Sequence, residues 1–547
     1  MSIADDILQR HSRMESDRTT FESHWREIAE RVLPRGNVFE RSQPINQGEK
    51  RTEKVFDSTP ILALERFSAA MESMLTPRTQ RWHKLSVQDP DLNDYKPVRM
   101  YLDSVTDLLF AARYSPRANF ASQLHENYMS LGAFGTGAIF IDDDLGLGLR
   151  YRALHLSELF IAENFAGVID TVHRKFVYTA RQAAQRFGLE KLPEKIRTAA
   201  EKTPDQTFEF LHCVKPNDDL SYGRKDYRGM PWSSYYIAIE SRTIVAEGGY
   251  RSMPYAVSRY VTAPREIYGR SPAMTALADI KMLNEMEKTL LRAAHKGVSP
   301  PLLLHEDGVL RAFDMRPDAL NYGGIDDQGN PMVQELNSDA RIDWGIQLSD
   351  QRRRSVQDAF LVTLFQILVD QPNMTATEAM LRAQEKGALL APTMGRQQSE
   401  MLGPLIQREI DILAAAGVIP EPPPELAEMG AEIDIEYVSP LNRMQRSEDG
   451  VGIMRTLEAV TPLAQIDPAV LDVFDPEMIV RELAEINGVP AKVLRSPEEM
   501  KALKEQRAEA QQAAQLLEAA PVASKVASDL TAMAATAQNS PQPLPAA

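Results

Sequence analysis

Apolar residues recur along the first third of the chain with the period of helices. Phe21, Trp25, Ile28 and Val32 fall at i, i+4, i+7 and i+11, one face of a helix that Pro34 stops. Leu64, Phe67, Met71 and Met74 form a second stripe. Asp57 and Ser58 can cap its start, Pro60 suits its first turn, and Pro77 ends it. Val98, Leu102, Val105 and Leu109 mark a third helix, and Phe120, Leu124, Tyr128 and Leu131 a fourth. Each stripe reads as a core-facing surface.

From Gly137 to about Thr262 the texture changes. Short runs rich in β-branched and aromatic residues follow one another: AIFID, LRYRAL, ELFIA, DTVHRKFVYT, TFEFLHCV, SSYYIAIE, RTIVAEG and YAVSRYV. Turn formers such as Pro216-Asn217-Asp218-Asp219 and Gly248-Gly249 separate them. The pattern predicts a mixed or antiparallel β region with one short helix near Thr179 to Phe187.

Ser271-Pro272 then opens a helix to about Lys296, roughly 39 Å long at the α-helical rise. Gly297 and Pro300-Pro301 end it. A turn-rich, short-strand stretch follows, and a second long helix is expected from about Gln347 to Leu368. Two long helices thus flank a compact insertion. Gln371-Pro372-Asn373 breaks the second helix. A third long helical stretch runs from Thr375 or Thr377 to about Ala416, interrupted at Pro392 and Pro404. After Val438 the chain reads helical over about Arg443–Ala464, Asp475–Asn487 and Pro497–Leu517. The last of these has a thin apolar stripe, suited to packing against copies of itself. The tail from Ala535 to Ala547, rich in Ala, Pro and Gln, reads as disordered. The fold class is therefore α+β, predominantly helical.

Composition narrows the function. The 547 residues carry 61 Lys+Arg against 77 Asp+Glu, a formal net charge of −16. That balance argues against a protein that coats nucleic acid by bulk electrostatics. The single cysteine, Cys213, excludes an intramolecular disulfide and any multi-Cys zinc site. The longest apolar stretch, Phe360 to Val369, is about half a membrane span, so no membrane helix is expected. The N-terminus MSIADDILQR lacks the apolar core of a signal peptide.

Motifs for chemistry are sparse. There is no G-x-x-x-x-G-K-[ST], so the phosphate cradle of a P-loop ATPase is missing. Gly132, Gly135 and Gly137 lie between a helix and a strand, the reverse of a dinucleotide fingerprint, and read as a tight turn. Asp142, Asp143 and Asp144 read as an exposed turn, because neighbours in a strand point to opposite faces and at most two could share an ion. The histidines do not group as metal ligands, and His212-Cys213 reads as buried structure. No catalytic residue, metal site or cofactor is expected. Lys288, Arg292 and Lys296 share a face near the end of the first long helix, and Arg352-Arg353-Arg354 lie in the second. They read either as a solvated face paired with Glu285, Asp350 and Asp358, or as a site of subunit ion pairing or of a phosphate-facing ring.

Several stretches, taken in order, resemble the head-to-tail connecting (portal) proteins of short-tailed bacteriophages. They are VFDSTP (Val55 to Pro60), LTPRTQRWHKL (Leu75 to Leu85), LGAFGTGAIF (Leu131 to Phe140), IYGRSPAMTALADIKMLNEMEK (Ile267 to Lys288), MTATEAMLRAQEKGALLAPTMGRQQSEMLGPLIQREIDIL (Met374 to Leu413) and VSPLNRMQR (Val438 to Arg446). After Leu390 the chain reads Ala391-Pro392-Thr393 where the family favours Gly-Pro.

The resemblance implies a portal fold with wing, stem, clip and crown regions, assembling as a ring of usually twelve subunits. A wing would span 1–270. Stem helices would span 271–297 and 347–369, with a clip over 298–346. The channel-facing tunnel loop would fall at 370–376, with Asp370, Gln371, Pro372, Asn373 and Met374 at the constriction. A long kinked helix and wing return (377–437), crown or barrel helices (438–534) and a tail (535–547) would complete the chain. The resemblance implies a virion protein at the portal vertex, assembled in the host cytoplasm, non-enzymatic, passing double-stranded DNA. Its partners would be terminase, a tail adaptor protein, and the major capsid and scaffolding proteins. Two other readings stand beside this one. A terminase-like packaging enzyme would need ATPase or nuclease machinery, and another tail or adaptor ring protein would usually be much shorter.

Overall fold

A computed structural model describes every residue except 1, 37, 40–47, 90–91, 94, 144–145, 147, 222, 225, 299–301, 305–324, 326–327, 332, 336–341, 364–391, 430–432, 439, 465–472, 487–488, 490–492, 494, 496–498 and 511–547. The chain divides into two units. The first comprises 1–84, 105–421 and 435–446, and the second 85–104, 422–434 and 447–547.

The first unit opens with α1 (Ile3–Ala29), capped by the Ser2 side chain on the Asp5 amide. It is longer than the apolar stripe from Phe21 indicates, because its first half buries only Ala4, Ile7, His11 and Arg18. The helices α2 (Thr59–Leu75) and α4 (Phe120–Phe134) follow, together with the part of α3 (Lys96–Arg113) from Val105 onward; the residues of α3 before Val105 belong to the second unit. Helix α2 buries Leu64, Phe67, Met71 and Leu75, so Leu75 takes the place expected of Met74. All four apolar positions expected of α3 and of α4 are buried.

The β region is antiparallel. Strands β2 (Thr136–Asp143), β3 (Leu149–Leu154) and β9 (Tyr255–Arg259) form a sheet of order β3-β2-β9. Strands β4 (Leu159–Glu163), β5 (Ile169–Thr179), β6 (Thr207–Pro216), β7 (Trp232–Ala238) and β8 (Thr243–Tyr250) form a second, in sequential order. Every apolar run read from the sequence is one of these strands. Strand β1 (His83–Val87) lay outside that reading.

The expected short helix is α5 (Ala180–Phe187), closed by a full capping box between Thr179 and Gln182. A further helix, α6 (Glu194–Lys202), escaped the sequence reading because it buries only Ile196 and Ala199. Both pack on the end of the larger sheet around Phe176, Phe187, Phe208 and Phe210.

The long helices are α7 (Pro272–Val298) and α8 (Ile342–Ala359). Helix α7 matches its expected span. Helix α8 differs at both ends. It begins five residues before Gln347 and runs through Gly345. The Gly345 backbone lies against the tip of the Leu290 side chain, where a Cβ would come 2.5 Å from Leu290 Cδ2. The helix does not continue through Phe360. Leu361 takes a left-handed φ of 58°, and Phe360 turns inward against Phe67. Between α7 and α8, β10 (Leu302–Leu304) pairs antiparallel with β11 (Val333–Glu335).

Residues 392–397 form a helical segment. It passes through a π-turn, Gln398–Leu402, into α9 (Gly403–Ala415). Gly403 and then Pro404 follow the π-turn, and π-turns and prolines are both recognised causes of helix deflection. Strand β12 (Ile433–Tyr437) then pairs with β1.

The second unit contains α10 (Pro424–Met429), most of α11 (Pro440–Ala464), α12 (Pro476–Ile486) and a helix over 499–510. Among its described residues, apolar side chains such as Met454, Met478 and Val480 are exposed. The expected disordered tail, 535–547, lies outside the described residues.

Candidate functional site

The stretches that carried the sequence resemblance meet at three places in the first unit. The first is the root of α7. Gly135 ends α4 with a φ of 79°, which opens room for Gly269. A Cβ on either glycine would run into the carbonyl oxygen of the other, so only glycine fits both positions. Ser271 caps α7 by accepting the Met274 amide at 2.9 Å, and its hydroxyl donates to the Ala133 carbonyl at 2.8 Å. The Gly269 amide donates to Thr136 Oγ1 at 2.9 Å. The long helix therefore leaves the β region at a fixed angle.

The second place is the flank of the α7–α8 pair. Asn284 on α7 accepts the Phe56 amide at 2.8 Å and donates to the Lys54 carbonyl at 2.8 Å. Asp57 accepts from Arg353 at 2.9 Å. The VFDSTP segment thus buttresses both helices.

The third place surrounds Trp82. Its ring lies under the Arg113 guanidinium, 4.5 Å from the centroid. Arg113 donates to both carboxylate oxygens of Glu409, at 2.9 and 2.5 Å, and lies 3.0 Å from His83 Nε2. Tyr151 donates its hydroxyl to Glu409 at 2.5 Å. Both charged side chains are fully buried. Burial, with Arg113 adding to it, pushes His83 well below its ordinary range. Burial and the Glu409 carboxylate push Tyr151 well above its own. The Val438 amide closes the group by donating to the Trp82 carbonyl at 2.8 Å.

The basic residues on the long helices divide into two sets. Arg352 pairs with Asp279 at 2.8 Å. Arg353 pairs with Asp57, Glu287 and Asp350 at 2.9, 2.7 and 2.8 Å. These two guanidinium groups stitch α8 to α7 and α2's entry rather than face outward. Of the carboxylates anticipated from the sequence, Asp350 and Glu285 pair with arginine and lysine, whereas Asp358 accepts from Thr363. Lys288 reaches Glu285 at 3.4 Å and lies over the Phe56 ring. Arg292, Lys296 and Arg354 are exposed and have no ion-pair partner among the described residues. Asp370, Gln371, Pro372, Asn373 and Met374 lie outside the described residues.

The residues tested for chemistry are structural. Asp142 pairs with Arg186 at 3.0 Å, and Asp143 accepts the Gly146 amide at 2.9 Å. His212 stacks on Tyr236 and contacts Tyr255 and Ser234, while Cys213 Sγ lies 3.1 Å from His173 Nε2. Burial pushes the Cys213 thiol up to about 12, the opposite of an activated nucleophile. Among the described residues no His, Cys, Asp or Glu group is placed to hold a metal ion, and no helix is long and apolar enough to cross a membrane.

The pair of long helices α7 and α8, rooted by Gly135, Gly269 and Ser271, is the main feature these stretches build. Residues 4–494 match the family model "Bacteriophage head to tail connecting protein", and the chain belongs to this family. It is 30% identical over 519 residues to a probable portal protein of Bordetella phage BPP-1, covering 93% of this chain and 92% of the relative. It is 29% identical over 532 residues to the portal protein of Salmonella phage epsilon15, covering 96% and 95%. Among solved structures, a chain of the native gene transfer agent virion matches at 12% identity and a TM-score of 0.34, covering 78% of this chain and 94% of that one. The chain thus belongs with the phage portal proteins, which connect head to tail.

Proposed function

We propose that copies of this chain close into a ring, twelve-fold as the family resemblance implies, at one capsid vertex. Double-stranded DNA passes through the ring during packaging and ejection. The observation that carries this reading is the end-to-end match with portal proteins, over 92% and 95% of their own lengths. The α7–α8 pair supports it physically. Met282, Leu291, Trp344, Ile346 and Leu348 on these helices are exposed, and lateral copies would cover such faces in a closed heterologous ring.

In this assignment α7 and α8 are the stem, and the segment between them is the clip that meets terminase and then the tail adaptor. The segment 370–376 is the tunnel loop, the β-rich part with α1–α4 is the wing, and the C-terminal helices are the crown inside the head. The major capsid and scaffolding proteins are further partners, met during assembly in the host cytoplasm. The exposed cations Arg292, Lys296 and Arg354 supply local phosphate contacts on a chain whose net charge of −16 otherwise discourages gripping DNA. Antibody labelling of virions tests the location: label at a single vertex is expected, and label spread over the whole capsid would overturn it.

A further inference from the structure

The β4–β5 hairpin ends in a bare aromatic side chain on a rigid base. Phe165 is fully exposed and Val168 beside it is largely so. Isolated apolar residues at a surface are ordinary, but this tip is unusually well fixed. Asn164 Oδ1 accepts the amides of Ala166 and Val168 at 2.9 and 3.0 Å. The Asn164 amide donates to the Val168 carbonyl at 2.9 Å, and Gly167 takes a φ of 77°.

Buried Arg259 holds the tip from beneath. It donates to the Gly167 carbonyl at 3.1 Å, to Glu163, and to the Ile267 carbonyl at 3.2 Å. Its other edge donates to Glu400 of the π-turn at 2.8 and 3.2 Å. Every part of the guanidinium fork is engaged, so the hairpin loses little freedom on docking.

A receptive feature lies elsewhere in the same unit. An open cleft of about 60 Å³ is lined by Thr59, Leu62, Ala63, Arg66, Gln357 and Val362. Ala63 and Val362 are buried, while Leu62 stands half-exposed. Arg66 is exposed and has no carboxylate partner among the described residues. A guanidinium free of a carboxylate favours an aromatic face, and Asp170 at the base of the hairpin supplies a complementary charge.

We propose that the Phe165 tip of one copy docks into the Leu62–Arg66 cleft of the next copy. A closed ring of identical chains needs two different patches on each chain, one fitting the other. This chain carries a protruding, preorganised aromatic and a small apolar hollow edged by a cation. The inference rests on the ring reading above.

The test uses full-length protein in which Phe165→Cys and Leu62→Cys are combined, treated with a short bis-maleimide. Cys213 is buried and does not compete. A ladder of covalent oligomers that neither single variant gives is expected. Rings by electron microscopy without a ladder would overturn the docking inference and leave the ring reading intact. Absence of rings in the unmodified protein would overturn the ring reading and this inference with it. Should the double variant not assemble, sedimentation of Phe165→Ala and Phe165→Leu decides. Truncation should raise the concentration needed for assembly at least roughly tenfold, as for an interface anchor, with Leu close to the parent. A Phe165→Ala protein that assembles like the parent would overturn the proposal.

Discussion

Arg113 and Glu409, 296 residues apart, form a doubly hydrogen-bonded ion pair with no exposed side-chain surface on either partner. The pair ties α3 to α9, and Tyr151 brings β3 into the same network. Removing one partner leaves the other charge buried without compensation. Glu409→Gln should therefore cost on the order of 3–5 kcal/mol of stability. The double variant Arg113→Met with Glu409→Leu should recover much of it. Chemical denaturation checks both, and a single variant as stable as the parent would show that the pair is not needed.

Gly135 and Gly269 set the root of the first long helix. Gly269→Ala should cost about 1–3 kcal/mol or more, since only backbone movement relieves the clash. Gly395 provides the contrast. A Cβ there meets nothing within 4 Å, so Gly395→Ala should be neutral or stabilising by up to about 1 kcal/mol. Melting curves of the two variants distinguish them. Equal losses would contradict the packing argument.

Acid should loosen the β region before it protonates most carboxylates. Burial pushes His155 down to about 4 and His173 down to about 3. Both are neutral when folded, whereas in the unfolded chain they gain protons near pH 6.5. The unfolded state binds more protons between these limits, so stability rises with pH there. The contribution is complete above about pH 6.5 and is lost progressively as pH falls toward 4 and then 3. Urea midpoints at pH 7 and pH 5 measure it. His173→Gln should flatten part of the slope, and an unchanged slope would assign the effect to other groups.

Arg353 and Arg354 are neighbours with different tasks. Arg353→Glu places a carboxylate against Asp57 and Glu287 and should weaken the helix pair and ring assembly. Arg354→Glu should leave assembly intact and alter only the salt dependence of packaging. Parallel assembly and packaging measurements separate the two. Identical phenotypes would contradict the division.

Much of this was legible in local pattern. The eight strands of the two larger sheets, the end of α1, helices α2–α4 and α7 follow from apolar spacing and turn chemistry. The exceptions have physical causes. Helix α6 buries too little to show a stripe. Helix α8 runs through Gly345, a residue of low helix propensity, and so starts earlier than Gln347. Phe360 leaves the α8 register because its ring is buried beside Phe67. The Arg113–Glu409 pair and the Arg259–Glu400 clamp join residues far apart in sequence, and no periodicity links such positions. The basic cluster was visible as charge, but its split into stitched and exposed members depends on Asp57, Asp279 and Glu287, which only folding brings near.

The tunnel-loop assignment yields a separate expectation. Deleting Gln371, Pro372 and Asn373 should impair DNA packaging or retention while rings persist. Loss of rings would assign those residues to assembly instead.

The central claim is that this chain acts as a closed ring with a DNA-sized channel. Electron microscopy of the purified full-length protein under assembly conditions tests it most directly. The account predicts closed rings with a central channel and cyclic symmetry, and a uniformly monomeric population without one would contradict it.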